Sequence, residues 1–214
     1  GIEVNRRLTG GGAIYLDGAQ LGWGLICHRD ELRVSGSLSE ITAEICRGVV
    51  AGIRRLGVEA QFRPRNDIEV RGRKLSGTGG VFQGDILLYQ GTLLMDLDLE
   101  AMGNALMISA EKLSARELGS LRERLTCLKE ELGEPPRLED AQKALQQGFQ
   151  EVLGVSFEEG GLTPWEDREI EERIDEFRSE EWIHTIQEPP QDVQWLRGNY
   201  KASGGLIRLA LRVD

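Results

Sequence analysis

The chain has 214 residues, enough for one sizeable core and a small second module. Its 26 Lys and Arg against 36 Asp and Glu give a formal charge of −10, which argues against sequence-independent nucleic-acid binding, because that depends on neutralising phosphates. No apolar run approaches the ~20 residues that cross a bilayer, so no membrane partner is expected, and the absence of any paired-cysteine pattern fits a cytoplasmic location.

Taken in chain order, the first informative stretch is Arg6-Arg7-Leu8-Thr9-Gly10-Gly11-Gly12-Ala13-Ile14-Tyr15-Leu16-Asp17. Glycine allows positive φ and close backbone approach, so successive amide N–H groups can converge on an anion. The arginines can add fork-shaped donors for phosphate or carboxylate. The alternative is a Gly-rich turn with solvated arginines. Ile14–Leu16 and Leu21–Ile26 read as a hairpin through Asp17-Gly18-Ala19-Gln20.

Ser37-Leu38-Ser39-Glu40 is a capping box, and Ile41, Ile45, Val49, Ile53 and Leu56 follow at helical spacing up to Gly57. Val58–Phe62 is expected as a strand running into Arg65-Asn66-Asp67, a polar turn entering the next strand. Gly72 supplies a reversal, and Lys74 and Leu75 begin the return. Lys74 stands among glycines, sterically open, and its ammonium suits a phosphate oxygen; a solvated lysine beside a turn is the alternative.

Val81–Phe82 and Ile86–Tyr89 are expected as short strands, with Leu93–Leu97 in the same sheet. Helices are expected over Leu99–Leu106, Leu118–Leu132, about Leu138–Leu153, and Trp165–Trp182, the last docked by Ile170, Ile174 and Phe177. Pro189-Pro190 marks a boundary before strands around Trp195 and Leu206–Val213. Strands and helices in blocks predict an α+β fold with a mixed or antiparallel sheet. Cys27, Cys46 and Cys127 form no CxxC pair, and His28 and His184 are far apart, so reduced thiols are expected rather than zinc.

The double-arginine run, Arg65-Asn66-Asp67, Gly72-Arg73-Lys74-Leu75-Ser76-Gly77-Thr78, Gln90-Gly91-Thr92-Leu93-Leu94 with Asp96, and Ser120–Thr126 together resemble the lipoate–protein ligase family, in their order. That family belongs to the wider group of lipoate and biotin ligases and octanoyltransferases. Leu16 stands where members often carry histidine, and Gly79-Gly80-Val81-Phe82 replaces small residues and an arginine. Both departures bear on substrate preference. The resemblance also implies a longer protein: a catalytic domain over residues 1–186 lacking its first elements, and the start of an accessory domain over 187–214.

The implied activity is ATP-dependent: lipoate becomes lipoyl-AMP, and the acyl group passes to a lysine of a carrier domain of the 2-oxoacid dehydrogenase E2 or glycine-cleavage H-protein type. By resemblance Lys74 contacts the carbonyl and phosphate. Arg7, Gly10, Gly11, Gly12, Ala13, Ile14 and Tyr15 hold the nucleotide, and Asn66 and Asp67 line the site, with Asp67 a candidate ligand for Mg²⁺. Two alternatives stand beside it. One is an octanoyl or lipoyl transferase working without ATP, whose thiol is missing between Arg47 and Thr126. The other is a non-catalytic half of a split ligase that needs a second polypeptide.

Overall fold

The computed structural model describes residues 1–32, 36–106, 115–184, 195–202 and 205–212. Arg7–Gly161 form one unit; Leu162–Asp214 and Glu3–Arg6 form another. The boundary expected at 186/187 and the Pro189-Pro190 break lie outside the described residues.

The first unit runs β1 (Gln20–His28), α1 (Leu38–Arg55), β2 (Gln61–Arg63), β3 (Asp67–Val70), β4 (Arg73–Gln83), β5 (Ile86–Leu94), α2 (Leu99–Leu106), α3 (Ala115–Arg124), α4 (Leu128–Leu132) and α5 (Leu138–Leu153). Its five strands form one antiparallel sheet in the order β1-β5-β4-β3-β2. The fold is α+β, as the sequence predicts.

Helix α1 begins where the capping box places it. Ser37 accepts from the Glu40 amide, and the Glu40 side chain returns to the Ser37 amide and hydroxyl, which holds its carboxyl below the usual range. Ile41, Ile45, Val49 and Ile53 are buried against the sheet. Gly57, at φ +89°, ends the run in a conformation that a side chain disfavours. Helix α5 crosses α1 at glycines: a Cβ on Gly52 would lie 2.8 Å from Ala144 O and Leu145 Cα, and one on Gly148 would overlap Gly48 O and Gly52 N. Beneath the helices Trp23 stacks on Tyr89 at 6.1 Å and meets Phe149 edge-on at 5.3 Å.

Several sequence expectations are corrected. Ile14–Leu16 is not a strand; Ile14 and Leu16 are exposed, and β1 pairs with β5 instead of with them. The strand after Gly57 starts only at Gln61. The short strands at Val81 and Ile86 are the ends of two long ones, β4 and β5, joined at Gly84 and Asp85. The continuous helix Leu118–Leu132 is broken at Leu125–Cys127, because the Thr126 amide donates to Lys74 O rather than to its own helix.

The second unit holds α6 (Pro164–Arg178), α7 (Glu180–His184) and a β6–β7 hairpin, Trp195–Ala202 with Gly205–Arg212. Thr163 caps α6 with Glu166, and Pro164 takes the first turn, where its missing N–H costs nothing. The single helix expected over Trp165–Trp182 is two, since Ser179 turns its hydroxyl to Glu176 O and accepts from the Trp182 amide. Ile170 and Ile174 do not bury α6; Phe177 instead meets Trp182 edge-on at 4.8 Å. Arg6 donates to the carbonyls of Trp182 and Ile183 at 2.8 and 3.1 Å. Among the described residues no helix is long and apolar enough to cross a membrane.

Candidate active site

The sheet has two unlike faces. Leu87, Tyr89 and Leu93 of β5 point to the helices and are buried. The opposite face has three cross-strand rows: Gly22–Thr92–Gly77, Gly24–Gln90–Gly79 and Ile26–Leu88–Val81. Four glycines make its floor shallow, and a Cβ added to Gly22 or Gly24 would meet nothing within 4 Å. This face can seat a ligand against backbone, with an apolar row at its far end.

Lys74 reaches this face through an irregularity in the ladder. Ile68 pairs with Ser76 while Glu69 pairs with Lys74, so Leu75 is an extra residue in β4. Side chains alternate along a strand, so without the bulge Lys74 would share the helix-packed face with Ser76 and Thr78. With it, the Lys74 ammonium lies over Gly77, where an added Cβ would come within 2.7 Å of Nζ. There it pairs with Asp67 Oδ1 at 2.7 Å. Arg63 holds Asp67 Oδ2 at 2.6 Å and Glu69 Oε1 at 2.5 Å, so the four charges alternate in sign.

The turn before Asp67 is fixed from behind. Asn66 donates its side-chain amide to Thr78 O at 3.0 Å and accepts at its carbonyl from the Thr78 amide and hydroxyl. Thr78 Oγ1 also lies 2.7 Å from Tyr89 OH. Preceding Asn66, Arg65 has φ +106°, a costly conformation for a residue with a side chain.

The glycine loop docks on the middle row. Thr9 is buried and accepts from Gln90 Nε2 at 2.8 Å and from Arg7 Nε at 3.2 Å. Gly10 O lies 3.7 Å from where a Gly79 Cβ would stand. Arg7 Nη2 spans the loop, donating to Gly10 O at 2.9 Å and Gly12 O at 2.8 Å. Gly11, at φ +120°, passes beneath that guanidinium. Arg7 therefore shapes the loop, and Arg6 is engaged elsewhere.

Thus Arg7 and Gly10–Gly12 meet β4 at Gly79, two residues from the Gly77 that Lys74 covers. Ala13 and Ile14 are exposed, and desolvation together with the nearby Asp17 and Asp98 carboxylates pushes the Tyr15 hydroxyl pKa up. Asp17 and Asp98 line a cleft of about 500 Å³ with Asp96, Leu97, Glu100, Arg122 and Lys129. Lys129 Nζ lies 2.6 Å from Asp96, and that bond holds the Asp96 carboxyl below its usual range. Among the described residues no group of three His, Cys, Asp or Glu side chains is placed to hold a metal ion. Asp67, the candidate ligand for Mg²⁺, is paired with Arg63 and Lys74 through its two oxygens.

Sequence reasoning did not assign roles to Thr9, Gln90 or Gly77, although all three stand inside the quoted motifs. Their signal was position: a hydroxyl beside a glycine run, an amide opening the fourth motif, and a glycine three residues past the lysine.

The fold is that of lipoate ligases. A structure of the bi-partite lipoate protein ligase and its E2 lipoyl domain from Thermoplasma acidophilum superposes with a TM-score of 0.76 at 25% identity, over 88% of this chain and 72% of that one. The model of the lipoyl protein ligase A/B catalytic domain matches residues 1–150, and the chain belongs to that family. Octanoyltransferase LipM of Kyrpidia tusciae is 29% identical over 85% of this chain and 74% of its own length. Lipoate–protein ligase 1 of Staphylococcus aureus is 31% identical over 85% of this chain, which spans 53% of that ligase. The family is one of enzymes, named as both ligases and transferases.

Proposed function

We propose that the chain carries the catalytic residues of an ATP-dependent lipoate–protein ligase. In this reading the lipoate carboxylate attacks the α-phosphate of ATP and pyrophosphate leaves. A carrier lysine then attacks the acyl carbonyl, its proton is lost, and AMP leaves. Lys74 supplies positive charge where carboxylate and phosphate meet, and the loop around Gly11 offers amide N–H groups to phosphate. The acyl chain follows the glycine floor toward Ile26, Leu88 and Val81; Gly77 to Val81 spans ~13 Å of strand. The acceptor is a lipoyl domain of the E2 or H-protein type, a second polypeptide is an allowed partner, residues 187–214 open an accessory domain, and the enzyme works in the cytoplasm.

The observation that carries this reading over a thiol-dependent transferase is the state of the three free cysteines. Burial pushes each thiol pKa up, the opposite of an activated nucleophile. Cys27 is level with Phe82, ~26 Å along β4 from Lys74. Cys46, in α1, is buried between that helix and the sheet, 3.6 Å from Thr78 Oγ1 and Tyr89 OH, and Cys127 is buried at the start of α4. The second reading, an octanoyltransferase, draws on the Kyrpidia tusciae relative. Pyrophosphate exchange with lipoate, octanoate and biotin, and acyl transfer to a lipoyl domain with and without ATP, both run on the native protein and on Cys27→Ser/Cys46→Ala/Cys127→Ala, separate the two. ATP-dependent exchange that survives thiol removal supports the ligase. Acyl transfer that persists without ATP and disappears with the thiols overturns it.

A further inference from the structure

We infer that Glu131 is a positioning residue for Lys74, acting through Thr126 and the Arg71-Gly72-Arg73 turn. This deepens the reading above and rests on Lys74 being the reacting-site cation. The Glu131 side chain is 3% exposed, though it sits on the short, largely polar helix α4. A carboxylate so buried must be met by donors, and it has three. Arg71 pairs with Oε2, Arg73 Nη2 lies 3.1 Å from Oε1, and the Thr126 hydroxyl donates to Oε1 at 2.7 Å. Neighbouring Glu130 takes the other Arg73 nitrogen at 2.6 Å.

These partners surround Lys74 in both sequence and space. Arg71 and Arg73 flank Gly72 in the tight turn that launches β4, and both turn residues have positive φ, +50° at Arg71 and +79° at Gly72. Thr126, fully buried, donates its amide to Lys74 O at 3.0 Å, and Leu125 forms an isolated parallel bridge to Lys74. Glu131 therefore ties the chain just before Lys74 to the segment that grips its carbonyl. The bulge at Leu75 makes this stretch the least regular part of the strand, and regular pairing alone does not fix where its ammonium points. The break between α3 and α4 has its purpose here: a continuous helix would withdraw the Thr126 amide from Lys74.

The test uses the full chain and two readouts. Lys74 acylation by an amine-reactive reagent, followed by peptide mass, needs no enzymatic activity and reports how firmly Asp67 holds the ammonium. Pyrophosphate exchange reports kcat and KM. Thr126→Val, which removes the hydroxyl at constant shape, and Glu131→Gln, which removes the charge, are expected to speed Lys74 labelling about fivefold. Both should lower kcat by about 100-fold with little change in KM for ATP. Thr126→Ser, which keeps the hydroxyl, should return labelling to the slow rate. Folded variants that label Lys74 at the native rate overturn the inference whatever their activity. If the native protein shows no exchange, the ligase reading fails while the labelling still decides the role of Glu131. Should Glu131→Gln not fold, Thr126→Val against Thr126→Ser decides alone.

Discussion

Lys74 and Asp67 face each other across β4 and β3, with Nζ 2.7 Å from Oδ1 and directly over Gly77. The lysine is 37% exposed at its side chain and the aspartate 14%, so the pair lies at the edge of the sheet face rather than in the core. An ion pair this open contributes little to stability. Its consequence is placement, because the lysine has one short stem of space above a glycine and one partner that a ligand's carboxylate or phosphate can replace.

Lys74→Ala should therefore abolish acyl activation while leaving the fold intact. Loss of one charged stabiliser of this kind costs ~2.7–4 kcal/mol of barrier, as for an oxyanion-hole donor. Pyrophosphate release and circular dichroism on the same sample make the comparison. Turnover near the native rate would remove Lys74 from the chemistry.

Gly77→Ala is expected to act on Lys74 without touching it chemically. The new methyl would stand 2.7 Å from Nζ and 2.8 Å from Cε, and a flexible side-chain tip can move away at small cost. Thermal stability should shift little, while kcat falls by about 100-fold because the ammonium is displaced by an ångström or more. Activity retained in a stable Gly77→Ala protein would mean that the lysine's position above this glycine is not the working one.

The sequence made Lys74 visible because a lysine between glycines, after a turn, is chemically conspicuous. It could not show which face the lysine points to, since that depends on a register slip against β3 that places Leu75 out of step. Ile14–Leu16 looked like a strand by composition, but a strand needs a neighbour, and β1 is paired with β5 along its length. The Leu118–Leu132 run has helical spacing throughout; only a contact from Lys74, about fifty positions earlier, breaks it. β4 runs on through Gly77–Gly80 to Gln83, with Gly80 packed against the Tyr89 ring. Capping at Ser37 and the α5 bounds were legible because both are written in neighbouring residues.

Gly11→Val should weaken nucleotide binding. At φ +120° a β-branched residue is strained, and its Cβ would meet Arg7 Nη2 at 2.7 Å, breaking the bridge from Gly10 O to Gly12 O. The loop is exposed at Gly11, so the global unfolding transition should move less than ligand affinity does. Calorimetric titration with ATP, beside a thermal melt, checks both. Unchanged affinity in the folded fraction would make the glycines a turn and nothing more.

Gly148→Ala should do the reverse, lowering stability with no direct effect on the site. Here the added Cβ would overlap Gly48 O and Gly52 N, which belong to the backbone of α1 and cannot rotate aside. The two helices must separate where they cross, and overpacking of that kind typically costs ~1–3 kcal/mol. The crossing lies on the helix side of the sheet, and the Lys74–Asp67 pair and glycine loop lie on the other. Urea unfolding should show a lower midpoint with an unchanged slope, while the fraction that remains folded keeps the native kcat and KM. A Gly148→Ala protein as stable as the native one would show that α1 and α5 do not meet through their glycines.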